Sequence, residues 1–301
     1  MSGAAAATVE RWAAGLPHPI ALVLSGGASL GAIQVGMIQA LADAGVEPDL
    51  VVGTSVGTLN GAVIAEQESL GSAGERLEQI WRGLRRRDIL PGNPVQQALT
   101  ILRSGHMHPA SGIARLVERS LQARTFGELA RPFVAVTADV LTGHVRRFDE
   151  GPLAPVLLAA TAIPGVFPPV QIEGRLYADA GPIANVPLLA AVERGAGSLV
   201  VLDAGDTCHL DTPPRGIPDA LIAAVLTAMR QRVMIEAPLV AERLPVLYLP
   251  RPCVRNQSIL DFDASAGLIE PTREVVADFL AYAVLPAAGA MSGSSHHHDG
   301  D

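Results

Sequence analysis

Two short apolar runs, Ile20-Ala21-Leu22-Val23-Leu24 and Pro48 to Val52, each lead into a glycine-bearing turn and then a segment of helical periodicity. Runs of this length without polar alternation predict strands buried on both faces, the condition of parallel strands covered by helices. After the first turn, Leu30, Ile33, Val35, Met37, Ile38 and Leu41 fall largely on one side of a helix that stops at Gly45, a favoured C-terminal cap. After the second, Thr58 to Ala65 reads as a helix. The succession predicts a parallel βαβ unit whose two turns meet at the carboxyl edge of one sheet, where open α/β folds place their ligands. Further on, the pattern predicts strands at Leu176 to Asp179, Ser198 to Asp203 and, edge-like, Leu244 to Leu249. It predicts helices over Asn185 to Gly195, Pro218 to Ile235 and Pro271 to Leu285. The stretch from Gly71 to Gln122, helical but broken by Pro91, Pro94 and Pro109, is read either as a lid or wall of a binding site or as surface helices packed on the sheet.

Composition narrows the picture. With 301 residues, 49% hydrophobic and only 4% aromatic, the chain is expected to bury one large aliphatic core, without internal repeat or interdomain linker. The expected division is an N-terminal extension over 1–18, one domain over 19–285 and a disordered tail over 286–301, where His296 to His298 resemble a tag. A formal charge of −8 argues against affinity for nucleic acid or anionic membranes. The local exception, Arg82 with Arg85, Arg86 and Arg87, is either a lipid-headgroup contact or a solvated helix face. Two cysteines, Cys208 and Cys253, have no disulfide-framework or metal-ligand spacing. Met1 to Ala7 lacks the features of a signal peptide and no apolar run is long enough to span a bilayer, so the expected location is cytoplasmic, with peripheral membrane contact.

The chemistry centres on Gly53-Thr54-Ser55-Val56-Gly57, set between strand and helix. This is the setting of a nucleophile elbow, in which a serine is held out from a sharp turn and flanking glycines relieve crowding. The helix starting there aims free N–H groups and its positive dipole end toward a developing oxyanion. Ser25-Gly26-Gly27-Ala28-Ser29-Leu30-Gly31 faces it across the same edge and reads as an oxyanion loop; without Gly-x-Gly-x-x-Gly spacing or a Gly-Lys-Ser/Thr triplet it is a poor nucleotide-phosphate loop. None of His18, His106, His108, His144 or His209 sits in a motif that marks a catalytic base, although His209 follows a plausible acidic partner. Asp179, at the end of a strand-like run and followed by Ala180-Gly181-Pro182, is presented on a turn, either as a base or as a cap of backbone N–H groups.

Four blocks occur in the order of a known family: Gly26 to Gly31, Gly53 to Gly57, Thr137-Ala138-Asp139-Val140-Leu141-Thr142-Gly143, and Ala160 to Pro169 leading into Tyr177-Ala178-Asp179. In these the chain resembles the patatin-like phospholipases over most of its length. The resemblance implies a three-layer α/β sandwich with a mostly parallel central sheet and helices on both faces. It implies a Ser-Asp dyad of Ser55 as nucleophile and Asp179 as base, and an oxyanion hole from the backbone of Gly26, Gly27, Ala28 and Val56. Gly31, Gly53, Gly57 and Gly181 are the implied elbow and turn glycines. No cofactor or metal is implied, and the implied partner is a lipid or small ester. Departures are Ala28 for a third glycine, Leu30 for a cation, and Asp-Ala-Gly for Asp-Gly-Gly or Asp-Gly-Ala. The last raises the expectation that the Ala180 methyl strains the turn and displaces Asp179, leaving a weak or inactive lipid-binding relative. A second alternative is a triad α/β-hydrolase built from Ser55, Asp179 or Asp203, and His209.

Overall fold

A computed structural model describes residues 15–90, 107–205, 213, 216–252, 259–283 and 291–293. The strands are β1 (Ile20–Leu24), β2 (Leu50–Thr54), β3 (Phe133–Asp139), β4 (Val145–Phe148), β5 (Val170–Ile172), β6 (Arg175–Asp179), β7 (Ser198–Leu202), β8 (Val246–Tyr248) and β9 (Met291–Ser292). The helices are α1 (Gly31–Asp43), α2 (Val56–Glu66), α3 (Leu70–Gly83), α4 (Arg86–Ile89), α5 (Ser111–Ser120), α6 (Leu153–Ala160), α7 (Gly181–Ala184), α8 (Leu188–Glu193), α9 (Gly216–Ala241) and α10 (Ile269–Tyr282).

The sheet runs β5-β6-β3-β2-β1-β7-β8-β9, with β4 also paired to β3. From β3 through β2, β1, β7 and β8 to β9 every pairing is parallel, whereas β4, β5 and β6 pair antiparallel. All residues of β1, β2 and β7 are buried, because helices cover both faces. Leu22, Leu24, Val51 and Leu202 pack on one face in a core shared with α1, α2, α3 and α10. Ala21, Val23, Val52 and Val201 point the other way, into a second core with α8 and the C-terminal end of α9. The three-layer α/β arrangement with a mostly parallel sheet is therefore the architecture of this chain.

Local departures have local causes. The helix expected over Asn185 to Gly195 begins only at Leu188, as α8, because Pro187 stands at its N-cap and cannot supply a helical N–H; Asn185 closes the preceding α7. The segment expected as an edge strand near Leu244 lies between β7 and β9 and is fully buried. Met291 and Ser292, which form β9, fall within the stretch expected as a tail.

Candidate active site

The strand–turn–helix junction at Ser55 is tight. Ser55 takes φ 54° and ψ −126° between β2 and α2, a conformation costly for a residue with a side chain, on the order of 1–3 kcal/mol. The flanking glycines permit it by close approach. A Cβ on Gly53 would run into the carbonyl of Gly57, and one on Gly57 would lie 2.5 Å from the Leu24 carbonyl oxygen and 2.6 Å from that of Ser25. Strand, helix and the end of β1 therefore touch backbone to backbone.

Asp179 reaches Ser55 through register on β3. Strand β2 ends with Thr54 opposite Val136, and β6 ends with Asp179 opposite Thr137. Because β4 covers Ala135 to Ala138 on the opposite edge of β3, β2 and β6 must share one edge and approach each other end to end. The carboxylate accepts a hydrogen bond from the Gly181 N–H at 2.7 Å, and the Ser55 hydroxyl lies near enough to favour its charged form. Burial raises its pKa from the ordinary 3.8 to about 6, and those two neighbours hold it from rising further. Ala180 has φ −84° and ψ 0°, ordinary helical backbone, and is fully buried. Its methyl therefore imposes no backbone strain, which removes the reason to expect a displaced Asp179.

The glycine turn needs a correction in detail. The Gly26 N–H donates to the Asn185 carbonyl at 3.1 Å, so it is not free to hold an oxyanion, and Gly26 shapes the turn instead. A Cβ there would lie 2.5 Å from Asn185 Oδ1 and 3.0 Å from Ser55 Cβ. Among the described residues the N–H groups of Gly27 and Ala28 have no acceptor, and Val56 starts α2 without a side-chain cap. Ala28 sits at φ 49°, the left-handed region in which the glycine missing from this position would be unstrained. Behind the turn, Gln34 donates to the Ser25 and Leu202 carbonyls, Asn60 donates to Gln34 and to the Gly31 carbonyl, and Trp81 donates to Asn60 at 3.0 Å. This buried network ties the ends of β1 and β7 to α1, α2 and α3.

Sequence reasoning missed Asn185. Its backbone fixes Gly26, and its side-chain Oδ1 is buried without a partner beside the site. The available signal was an asparagine six residues beyond Asp179, a spacing with no periodic or turn signature of its own.

Ser55 opens into an apolar cavity of about 80 Å³. Its walls come from α2, α3, α4, α5 and the segment after α6, with Trp81, Leu116, Ile163 and Phe262 among them. The described parts of the Gly71 to Gln122 region thus form walls; residues 91–106 of it, including Pro91, Pro94 and His106, lie outside the described residues. The arginine run is internally engaged in part: Arg82 pairs with Glu78, and Arg85 donates to the Arg82 and Leu84 carbonyls.

The histidines are dispersed. His18 hydrogen-bonds to Asp49 at 2.6 Å before β2, at the opposite edge of the sheet. His108 is buried against Phe167, and His144 lies exposed in the turn between β3 and β4. His209, His296 to His298, Cys208 and Cys253 lie outside the described residues. Asp203 accepts hydrogen bonds from the Tyr248 hydroxyl and the Gly205 N–H. Asp139 accepts from the N–H groups of Leu141 and Thr142, so it closes the turn within the third of the four sequence blocks.

Known proteins resemble this chain in sequence. A family model described as patatin-like phospholipase matches residues 22–192. The patatin-like phospholipase domain-containing protein 7 of Mus musculus is 32% identical over 208 residues, covering 68% of this chain and 15% of its own. Lysophospholipase NTE1 of Mycosarcoma maydis is 27% identical over 209 residues, covering 67% of this chain and 10% of its own. The chain thus spans less than a sixth of the length of either relative. VipD of Legionella pneumophila, a solved structure, is 16% identical with a TM-score of 0.48, over 88% of this chain and 67% of its own. With that family model matching residues 22–192, this chain belongs to the patatin-like phospholipase family.

Proposed function

We propose that the protein hydrolyses carboxylic esters of lipids through Ser55 and Asp179, with the acyl chain in the apolar cavity. The family is one of lipid ester hydrolases. The observation that carries the reading is the Ser55 hydroxyl, set beside the buried Asp179 carboxylate while it faces the cavity. Ser55 Oγ attacks the ester carbonyl carbon as its proton passes to the Asp179 carboxylate. The tetrahedral oxyanion is held by the N–H groups of Gly27, Ala28 and Val56. Its collapse breaks the ester bond, and the alcohol leaves with the proton from Asp179. Water then gives a proton to Asp179 and attacks the acyl-enzyme; the fatty acid departs and Ser55 recovers its proton.

A carboxylate with a pKa near 6 is a stronger base than an ordinary aspartate and is still mostly ionised at neutral pH, which suits it to this step. The relaxed backbone of Ala180 favours an active enzyme over a disabled relative. The test is hydrolysis of chromogenic esters of increasing acyl length by wild type, Ser55→Ala, Asp179→Asn and His209→Ala. Loss in the first two variants with retention in the third is expected. Retention in Ser55→Ala would reject the nucleophile, and loss in His209→Ala would favour the triad.

A further inference from the structure

Helix α9 is too long for the sheet it packs on and is apolar where it is exposed. Its 26 residues span about 39 Å at 1.5 Å each, against about 17 Å for a five-residue strand. It is buried at Ala237, Val240 and Ala241, close to its C-terminal end. Since α9 leads into β8, which is parallel to β7, it runs antiparallel to these strands, and its N-terminal half passes beyond their carboxyl edge. That is the edge where Ser55 opens. Midway along, Met229 lies against Gly181: a Cβ on that glycine would be 3.9 Å from Met229 Cε, two residues from Asp179.

The overhanging half is apolar over most of its surface. From Ala220 to Met229 there is no charged residue, and Leu221, Ile222 and Val225 are 62%, 55% and 43% exposed. Ala220, Leu221, Ile222, Ala224, Val225, Thr227 and Ala228 are all exposed; at about 100° per residue they occupy well over half of the helix circumference. A helix apolar nearly all round is ordinarily buried. A protein partner would cover one face, whereas a fluid lipid layer moulds itself to the whole exposed arc. The uncharged run is bounded by Asp219 at one end and by Arg230 and Arg232 at the other, which a helix lying along a lipid interface keeps at headgroup level while its apolar arc enters the acyl boundary. At the same edge the turn after β3, where polar residues are usual, exposes Val140 and Leu141, the latter by 83%. Among the described residues no helix is long and apolar enough to cross a membrane.

We propose that α9 docks the protein on a lipid surface, its N-terminal half lying along one leaflet beside the mouth of the site so that a lipid ester passes to Ser55 without crossing water. The proposal rests on the lipid-ester reading of that site, but docking is measured separately from turnover by using Ser55→Ala as the parent. Co-sedimentation with phosphatidylcholine vesicles is expected for that parent, and adding Leu221→Glu, Ile222→Glu and Val225→Glu is expected to lower the partition coefficient about 100-fold or more. In the Ser55 protein the same triple change should leave hydrolysis of a water-dissolved short-chain ester within about twofold, since none of the three touches the cavity. As an independent readout, Ile222→Trp should shift its emission to the blue on vesicles and be quenched by brominated acyl chains. Equal vesicle binding by parent and triple variant would overturn the proposal. So would a parent that ignores vesicles but sediments as a dimer made monomeric by the triple change, which would make the occupant a second copy of the chain.

Discussion

Replacing Asp179 by asparagine is expected to make the protein more stable while removing its activity, and only at a pH where the aspartate is charged. Burial raises this carboxyl from 3.8 to about 6. Its contribution to stability is therefore complete below the unfolded value near 4 and is lost as pH rises through about 6, because ionisation then favours the unfolded chain. The interval between the two values corresponds to about 3 kcal/mol when fully expressed. Asparagine keeps the shape without the charge, so the stability of Asp179→Asn relative to wild type should rise by about 2 kcal/mol between pH 4.5 and pH 8. The amide offers poorer acceptance to the Gly181 N–H, at a cost of about 1 kcal/mol that does not vary over this range. Urea unfolding of both proteins at the two pH values, followed by far-UV circular dichroism, measures the change. A difference that is the same at both pH values, or that falls toward pH 8, would refute the idea that Asp179 is a destabilised buried base.

The same residue sets the pH dependence of turnover: kcat/KM of wild type should fall below an apparent pKa of about 6, and a profile flat down to pH 4.5 would mean that another group accepts the proton. Ala28→Gly relieves a positive φ of 49° and is expected to add about 1 kcal/mol to stability, read as a higher urea midpoint. Ala180→Gly, at a relaxed and buried position, should instead lower stability by about 1 kcal/mol without raising activity; a gain in turnover would revive the strained-turn explanation. Ile163→Trp narrows the cavity on the segment after α6 and should depress hydrolysis of long-chain esters at least about tenfold more than short-chain ones.

The division between sequence and structure at this site follows the range of the forces involved. Periodicity and turn chemistry are local, so the apolar runs around Leu22 and Val51, the helices after them and the glycine elbow around Ser55 were legible along the chain. The resemblance carried by four spaced blocks added Asp179, which on its own read more readily as a turn cap. Pro187 was also visible, and it marks the start of α8, three residues later than the apolar pattern alone suggested. What no local pattern contained was register: β2 and β6 share one edge of β3, and that alone sets Thr54 opposite Val136 and Asp179 opposite Thr137, bringing the two side chains together. Long-range packing decided which N–H groups remain free, since Gly26 gives its own to a carbonyl of Asn185. It also decided that Ala180 is relaxed and Ala28 is not, because φ depends on where the neighbouring strands and helices hold the turn. The raised pKa of Asp179, the apolar cavity and the overhang of α9 depend on which surfaces the assembled layers bury and which they leave uncovered. The sequence by itself determined which residues are able to do chemistry; the tertiary structure decided which of them meet and how much water reaches them.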